Sequence, residues 1–332
     1  MPALARASLK PILAPVETTL PTELQEVFSR FITTEYTTID RRGQPITWPV
    51  TPYYESGDDH IDITTGLGYP KKADDAAMNP KVALLFSDPT GCALSDPPTV
   101  LVQGTATVDD RDLDANRERY TRESVEKLPG SKELLPPKPL RGWFNWYFTR
   151  IYVHVRPERI YVWRGEEPEL LDSHMEEVRS GRDEEPEAPP PAPVGGAPLW
   201  DERMEQLGEL YRTAVLSLVS PDGFPFSARV PVSVDAAARR VRIAAEPVGA
   251  PLQPGLACVA AHDHPPDFKW QRNFQVRGDL VQDDEGWTLV PHKLVSGFEA
   301  PPTSKIGQYR LNLRKSLRFR KTAKRELERR AG

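Results

Sequence analysis

The sequence predicts a mainly β chain with flanking helices, an α+β protein in which one small barrel is built twice. Three observations carry this. First, YTTIDRRGQPITWPVTPYY from Tyr36 aligns with LSLVSPDGFPFSARVPVSV from Leu216, with Gly43 and Pro45 falling on Gly223 and Pro225. Repeats of this kind set the architecture before any local reading does. Second, the aligned segments are short apolar or alternating runs bounded by turn residues, which is the pattern of strands and hairpins. Third, the acidic, Pro- and Gly-rich stretch GRDEEPEAPPPAPVGGAP, 181–198, lies between the copies and cannot bury a core.

Taken in order, the chain opens with an extension over 1–20 and a helix from Thr22 to Phe31, with Thr22 as its N-cap. A hairpin about RRGQ follows, then the strand IDITT from Ile61, which meets VRIAA from Val241 in the same register. A helix is predicted at Lys71 to Met78. PKVALLFSD from Pro80 pairs with PGLACVAAH from Pro254, and LVQGTATV from Leu101 with QVRGDLVQ from Gln275, which superposes Gly104 on Gly278. A further helix runs from Asp112, its N-cap, to Lys127. The second copy has its own helix at Asp201 to Tyr211, and its last strand is assigned to QYRLNLRKSLRFR from Gln308, matched to RIYVHVRPERIYV from Arg150. These elements give a first barrel over 21–180, a linker over 181–198 and a second, degenerate barrel over 199–332.

Composition limits the function classes. With 332 residues, 39% hydrophobic and 27% charged, the chain is a globular mixture of two-domain size. No apolar run approaches the length of about 20 residues that spans a bilayer, and Pro11 and Pro15 interrupt the start, so a cytoplasmic location is expected with no membrane partner. Cys92 and Cys258 are too few for a disulfide framework and are read as small buried apolar residues. The stretch from Lys305 to Arg330 carries eleven Lys or Arg, yet they are interleaved with Leu311, Leu313, Leu317 and Phe319. A strand followed by a solvated helix is therefore preferred to a nucleic-acid arm, and no nucleic-acid partner is expected.

The hairpin, the strand IDITT, the loop GLGYPKKADDAAMNPKVALLF and the strand TVLVQGTATV together resemble the pyridoxamine 5'-phosphate oxidase-like split barrels. The resemblance covers about Leu20 to Trp163. Its most specific piece is Lys72 set eight residues before Pro80, followed by Gln103-Gly104. It implies two split barrels clasped as a monomeric pseudo-dimer, able to dimerise further, with a cofactor in the groove between them. The activity implied is that of a flavin-dependent oxidoreductase passing hydride to or from a small organic substrate.

The cofactor implied is FMN, with the deazaflavin coenzyme (F-420) as the alternative and a non-catalytic flavin- or haem-binding module as the rival from another class. By the resemblance Lys72 binds the cofactor phosphate, Lys71 assists, and Thr64 and Thr65 add contacts. Trp48, Pro49, Val50, Thr51 and Gln103 are placed at the ring; Trp48 reads equally as a core aromatic. Arg229 and Arg277 either cross the groove or lie on strand surfaces. An aromatic insertion runs from Tyr120 through RGWFNWYFTR, and its Trp143, Trp146 and Tyr147 are assigned either to a substrate pocket or to barrel packing. No catalytic side chain is required, because a flavin itself carries the hydride. His262-Asp263-His264 is read as a surface turn rather than a metal site, and no metal is assigned. The C-terminal Arg-Leu-x-Pro ending that grips substrate phosphate in true pyridoxamine phosphate oxidases is missing, which argues against vitamin B6 oxidation.

Overall fold

The computed structural model describes residues 20–128, 145–164, 168–171, 198–247, 249–299, 317 and 319–330. The first half contains α1 (Thr22–Arg30), β1 (Thr34–Ile39), β2 (Pro45–Val50), β3 (Pro52–Tyr53), β4 (Ile61–Gly66), α2 (Lys71–Met78), β5 (Lys81–Phe86), β6 (Thr99–Asp109), α3 (Leu113–Lys127), α4 (Asn145–Phe148), β7 (Arg150–Trp163) and β8 (Pro168–Leu171). The second contains β9 (Thr213–Val219), β10 (Pro225–Asp235), β11 (Arg240–Ile243), β12 (Gly255–Asp263), β13 (Arg272–Asp283) and β14 (Gly286–Ser296). Among the described residues no helix is long and apolar enough to cross a membrane.

The two halves share one topology. The first sheet runs β2-β1-β5-β6-β7-β4-β3, with β8 added to β7, and the second closes as β10-β11-β14-β13-β12-β9. Replacing β1 by β9, β2/β3 by β10 and β4, β5, β6, β7 by β11, β12, β13, β14 turns one order into the other. Even the irregularities repeat: register slips between Gln103 and Gly104 in β6 and between Arg277 and Gly278 in β13. The glycines are obligatory at both bulges, since a Cβ would run into the carbonyl oxygen of Arg156 at Gly104 and of Val290 at Gly278. The hairpin turns match too, with Gly43 at φ 75° and Gly223 at φ 81°.

These bulges correct one sequence assignment. Gly104 lies opposite Pro157 and Gly278 opposite Pro291, so the counterpart of β7 is β14 and not the segment from Gln308. The part of that segment within the described residues is helical: a C-terminal helix occupies 319–330. It is not simply solvated. Ala323 enters the first-half core, Arg329 and Arg330 pair with Asp74, and Arg330 also reaches Asp110. Two smaller corrections concern helix starts. Asp112 caps α3 by accepting from the Ala115 amide, but α1 begins after Pro21 with no side-chain cap, and the predicted helix Asp201 to Tyr211 is a 3-10 turn followed by an irregular turn at 206–209. The extension 1–19 and linker residues 181–197 lie outside the described residues.

Strand β5 shows why the halves clasp. Val82, Leu84 and Phe86 face the first barrel core, while Ala83 and Leu85 point the other way onto Val215, Leu218, Phe226 and Ala228 of the second half. A strand buried on both faces reads as an unbroken apolar run, here VALLF. At the centre of the contact Thr37, Thr47, Ser217 and Ser227 form a buried cluster in which Thr37 to Ser227 is 2.9 Å and Thr47 donates to Ser217 at 2.6 Å. Thr37 aligns with Ser217 and Thr47 with Ser227, so the hydroxyls sit on the pseudo-twofold axis and satisfy one another away from water.

Candidate anion-binding cleft between the barrels

A cleft opens where β2, β3, β4 and the loop into α2 meet the second half. Its walls are Thr33, Pro49, Val50, Thr51, Tyr53, Thr64, Tyr69, Lys72, Tyr120, Leu128, Tyr147 and Arg150 from the first half, with Phe268, Gln271 and Phe298 from the second. Thr51 marks the break between β2 and β3, whose ladders end at Val50 and resume at Pro52. Thr51 thus lies between the two ladders at the cleft wall.

The loop GLGYP brings two cations together. β4 ends at Gly66, which lies opposite Arg150 at the start of β7. With no side chain at Gly66, the Arg150 guanidinium and the Tyr69 ring close to within 3.2 Å and 3.1 Å of where a Cβ would stand. Pro70 then starts α2 without a side-chain cap, and Lys72 in the first turn places its ammonium 5.5 Å from the Tyr69 ring centroid. Helix starts of this kind favour anions.

Arg150 is held rigidly. It is 5% exposed, donates to the hydroxyls of Tyr69 (2.9 Å) and Tyr120 (2.8 Å), and lies over the rings of Tyr120 at 4.2 Å and Tyr147 at 4.5 Å. Its Nε has no hydrogen-bond partner among the described residues. Burial opposes its charge, but the hydroxyls of Tyr69 and Tyr120 accept its hydrogen bonds and it stays protonated. Those tyrosines are themselves neutral: burial raises Tyr69 and Tyr120 above the usual phenol value.

No carboxylate lines this cleft among the described residues. Lys72 registers the deficit: burial first, and then the Arg150 charge, push its ammonium down to about 7. A buried cation beside a half-buried one, with no carboxylate in the cleft, is costly, and an anion would complete the site. The cleft therefore offers a positive floor, aromatic walls and a wall contributed by each half.

Known proteins were compared with this geometry. No protein-family model matches the sequence, and none of the curated proteins matches it. Solved structures do match. They include general stress protein 26 of Bacillus anthracis, at 19% identity over 46% of this chain and 99% of that one with a TM-score of 0.30. A Clostridium acetobutylicum protein related to general stress protein 26, of the pyridoxinephosphate oxidase family, matches at 14% identity over 47% and 95% with a TM-score of 0.31. An FAD-binding protein of Mesorhizobium loti matches at 18% over 43% and 91% with a TM-score of 0.29. The chain is a tandem split barrel.

The split barrel collects some of the sequence-assigned residues and disperses others. Pro49, Val50, Thr51, Thr64, Lys72 and Tyr147 line the cleft. Lys71 does not: it is 55% exposed and turns along α2 to Asp75 at 2.7 Å. Thr65 points to the opposite strand face and donates to the Tyr69 carbonyl at 2.9 Å, bracing the loop. Trp48 packs on the Gly297 backbone, next to Phe298 but off the cleft wall. Gln103 is buried in the contact between the halves, donating to the Pro225 carbonyl at 2.8 Å. Trp143 and the Trp146 side chain lie outside the described residues. Arg229 crosses between halves, though to the buried Glu35 at 2.5 Å, and Arg277 bonds Gln275 at 2.8 Å.

His262 and His264 correct the reading of a surface turn. Both are buried between the halves, His262 on Glu35 at 2.6 Å and His264 within 3.1 Å of the Thr33 hydroxyl. Sequence reasoning missed Arg150, Tyr69 and Tyr120 as cleft residues. Their signal was faint: Arg150 closes the aromatic insertion and Tyr120 begins it, but only strand pairing shows that both reach the GLGYP loop.

Proposed function

We propose that the cleft binds FMN, with its phosphate against Lys72 and Arg150, and that the chain is a flavin-dependent oxidoreductase acting on a small organic substrate. The observation that carries this reading is the pair of enclosed cations with no carboxylate beside them. The residues present fit an anionic aromatic group. Arg150 has a spare Nε donor, and Tyr53, Tyr69, Tyr120, Phe268 and Phe298 supply aromatic walls.

A compact phosphate suits this cleft better than the extended acidic tail of the deazaflavin coenzyme. The cations that would lengthen the groove are engaged elsewhere: Lys71 with Asp75, and Lys81 with the Asp222 carbonyl at 2.8 Å and the Phe224 ring. Haem is less well served: no described lining residue is a His, Cys or Met, and the hydroxyls of Tyr69 and Tyr120 are taken up by Arg150.

Flavin, when bound, supplies the hydride chemistry. The chain's own residues act on binding and orientation. Lys72 and Arg150 neutralise the phosphate, the tyrosine hydroxyls fix the Arg150 fork, and the second half closes one wall against water. A visible absorption spectrum of the purified protein, followed by parallel titrations with FMN and the deazaflavin coenzyme, tests the assignment. Flavin bands and tighter FMN binding are expected, with Lys72→Ala weakening FMN at least tenfold, about 1.4 kcal/mol. A protein that ignores both flavins, or an Ala variant of unchanged affinity, would refute it.

A further inference from the structure

On the outer face of the first barrel, away from the cations of the cleft, His60, Asp62 and His154 converge. Their potential ligand atoms all lie within 4.8 Å of one another. The sheet produces this directly: Asp62 in β4 lies opposite His154 in β7, so both project from one face, and His60 precedes the strand by one residue. We propose that these three residues form a binding site for a divalent transition-metal ion of the zinc class, ligated by His60 Nε2, Asp62 Oδ1 and His154 Nδ1.

The Asp62 carboxylate is divided as such a ligand requires. Its Oδ1 faces both imidazoles, accepting a hydrogen bond from His154 Nδ1 at 2.5 Å, whose proton a bound cation would replace, and lying 3.4 Å from His60 Nε2, while Oδ2 is held by Arg119 at 2.5 Å. Arg119 is fixed in turn by Glu123 at 2.6 Å. The outer nitrogen of His60 is also provided for, its Nδ1 lying 2.7 Å from Asp59 Oδ1. A carboxylate on the far nitrogen fixes the tautomer so that the near nitrogen presents its lone pair, the arrangement that supports His ligands to zinc. The histidine rings stand at 90° to each other, their centroids 5.1 Å apart.

Two imidazoles and one carboxylate select borderline metals over magnesium or calcium, which prefer all-oxygen shells. His60 and His154 are 34% and 27% exposed, so further coordination positions face an open basin lined by Tyr54, Asp58 and Glu126 among others. Three protein ligands with positions left for water is the pattern of a reactive rather than a closed structural zinc site.

Equilibrium dialysis of the full chain against Zn2+ at pH 8 tests this. One Zn2+ per chain is expected, with Mg2+ and Ca2+ failing to compete. His60→Ala removes only a half-exposed ring and is expected to fold normally, yet to weaken Zn2+ at least tenfold. Asp59→Asn should cost about tenfold through the tautomer of His60. Zn2+ should raise the melting temperature of the native chain and not of His60→Ala. Failure to retain Zn2+ at all, or retention undiminished in both His60→Ala and Asp62→Asn, would overturn the proposal.

Discussion

The two barrels agree in their frames and differ at their mouths. Counting from the paired bulges, Asp109 aligns with Asp283, Arg150 with Asp284 and Tyr152 with Gly286. Where the first half inserts α3 and α4 before Arg150, the second makes a tight turn and starts β14 at Gly286. Thr51, which breaks the strand in the first half, aligns with Pro231 inside the continuous β10. Lys72 has no counterpart, because the stretch carrying α2 is shortened to 246–253. Bulges, turns and the shared hydroxyl cluster thus specify the barrel and its partner, and two insertions supply the charge. A duplicated fold can retain every structural device while one copy gives up the site.

Removing Arg150 is the harshest way to break this asymmetry. Arg150→Ala takes out a buried, hydrogen-bonded cation, and FMN affinity is expected to fall at least 100-fold by fluorescence titration. Lys72→Met should cost FMN affinity about tenfold and yet raise the urea midpoint of the ligand-free chain at pH 7, because it relieves a half-buried charge beside Arg150 that no carboxylate of the cleft compensates. A lowered midpoint would mean that Lys72 has a partner after all.

The pH dependence follows with its sign. The Lys72 ammonium sits at about 7 in the fold against an ordinary value of 10.5. Below pH 7 it is protonated in both folded and unfolded chains and its burial cost is complete. Between about 7 and 10.5 the folded chain sheds the proton first, so the ligand-free protein should gain stability across that window. Lys127, also pushed to about 7 by burial, adds to the same trend. FMN affinity should move oppositely, weakening from pH 7 to 9, since the phosphate charge is already complete above its second pKa of about 6. That decline should vanish in Lys72→Met.

The contact between halves offers a milder probe. Thr37→Val strips one hydroxyl from the axial cluster and should cost about 1 kcal/mol in denaturant unfolding. Smallest of all, Lys71→Ala is expected to change FMN affinity less than twofold, because its ammonium is already spent on Asp75. Equal losses in Lys71→Ala and Lys72→Ala would erase the distinction drawn between neighbouring lysines.

The barrel repeat was legible in the sequence because its register is carried by glycines with a steric reason to be there, at 43, 104, 223 and 278. Helix α2 was legible locally, and the place of Lys72 on the cleft through the resemblance of the loop that carries it. Where the reading missed, long-range pairing decided. The last strand of the second barrel was sought at Gln308 although β14 starts at Gly286, because the shortened β13–β14 turn leaves no room for the insertion that the first copy suggested. The resemblance places Thr65, Trp48 and Gln103 at the cofactor, but strand alternation sends Thr65 to the other face, and docking of the halves takes up Trp48 and Gln103.

A calorimetric titration counting FMN molecules per chain confronts the asymmetry most directly. One FMN per native chain is expected, and none at the same concentrations for the Lys72→Ala, Arg150→Ala double variant. Two per chain, or one that survives loss of both cations, would contradict the placement of the anion site in the first half alone.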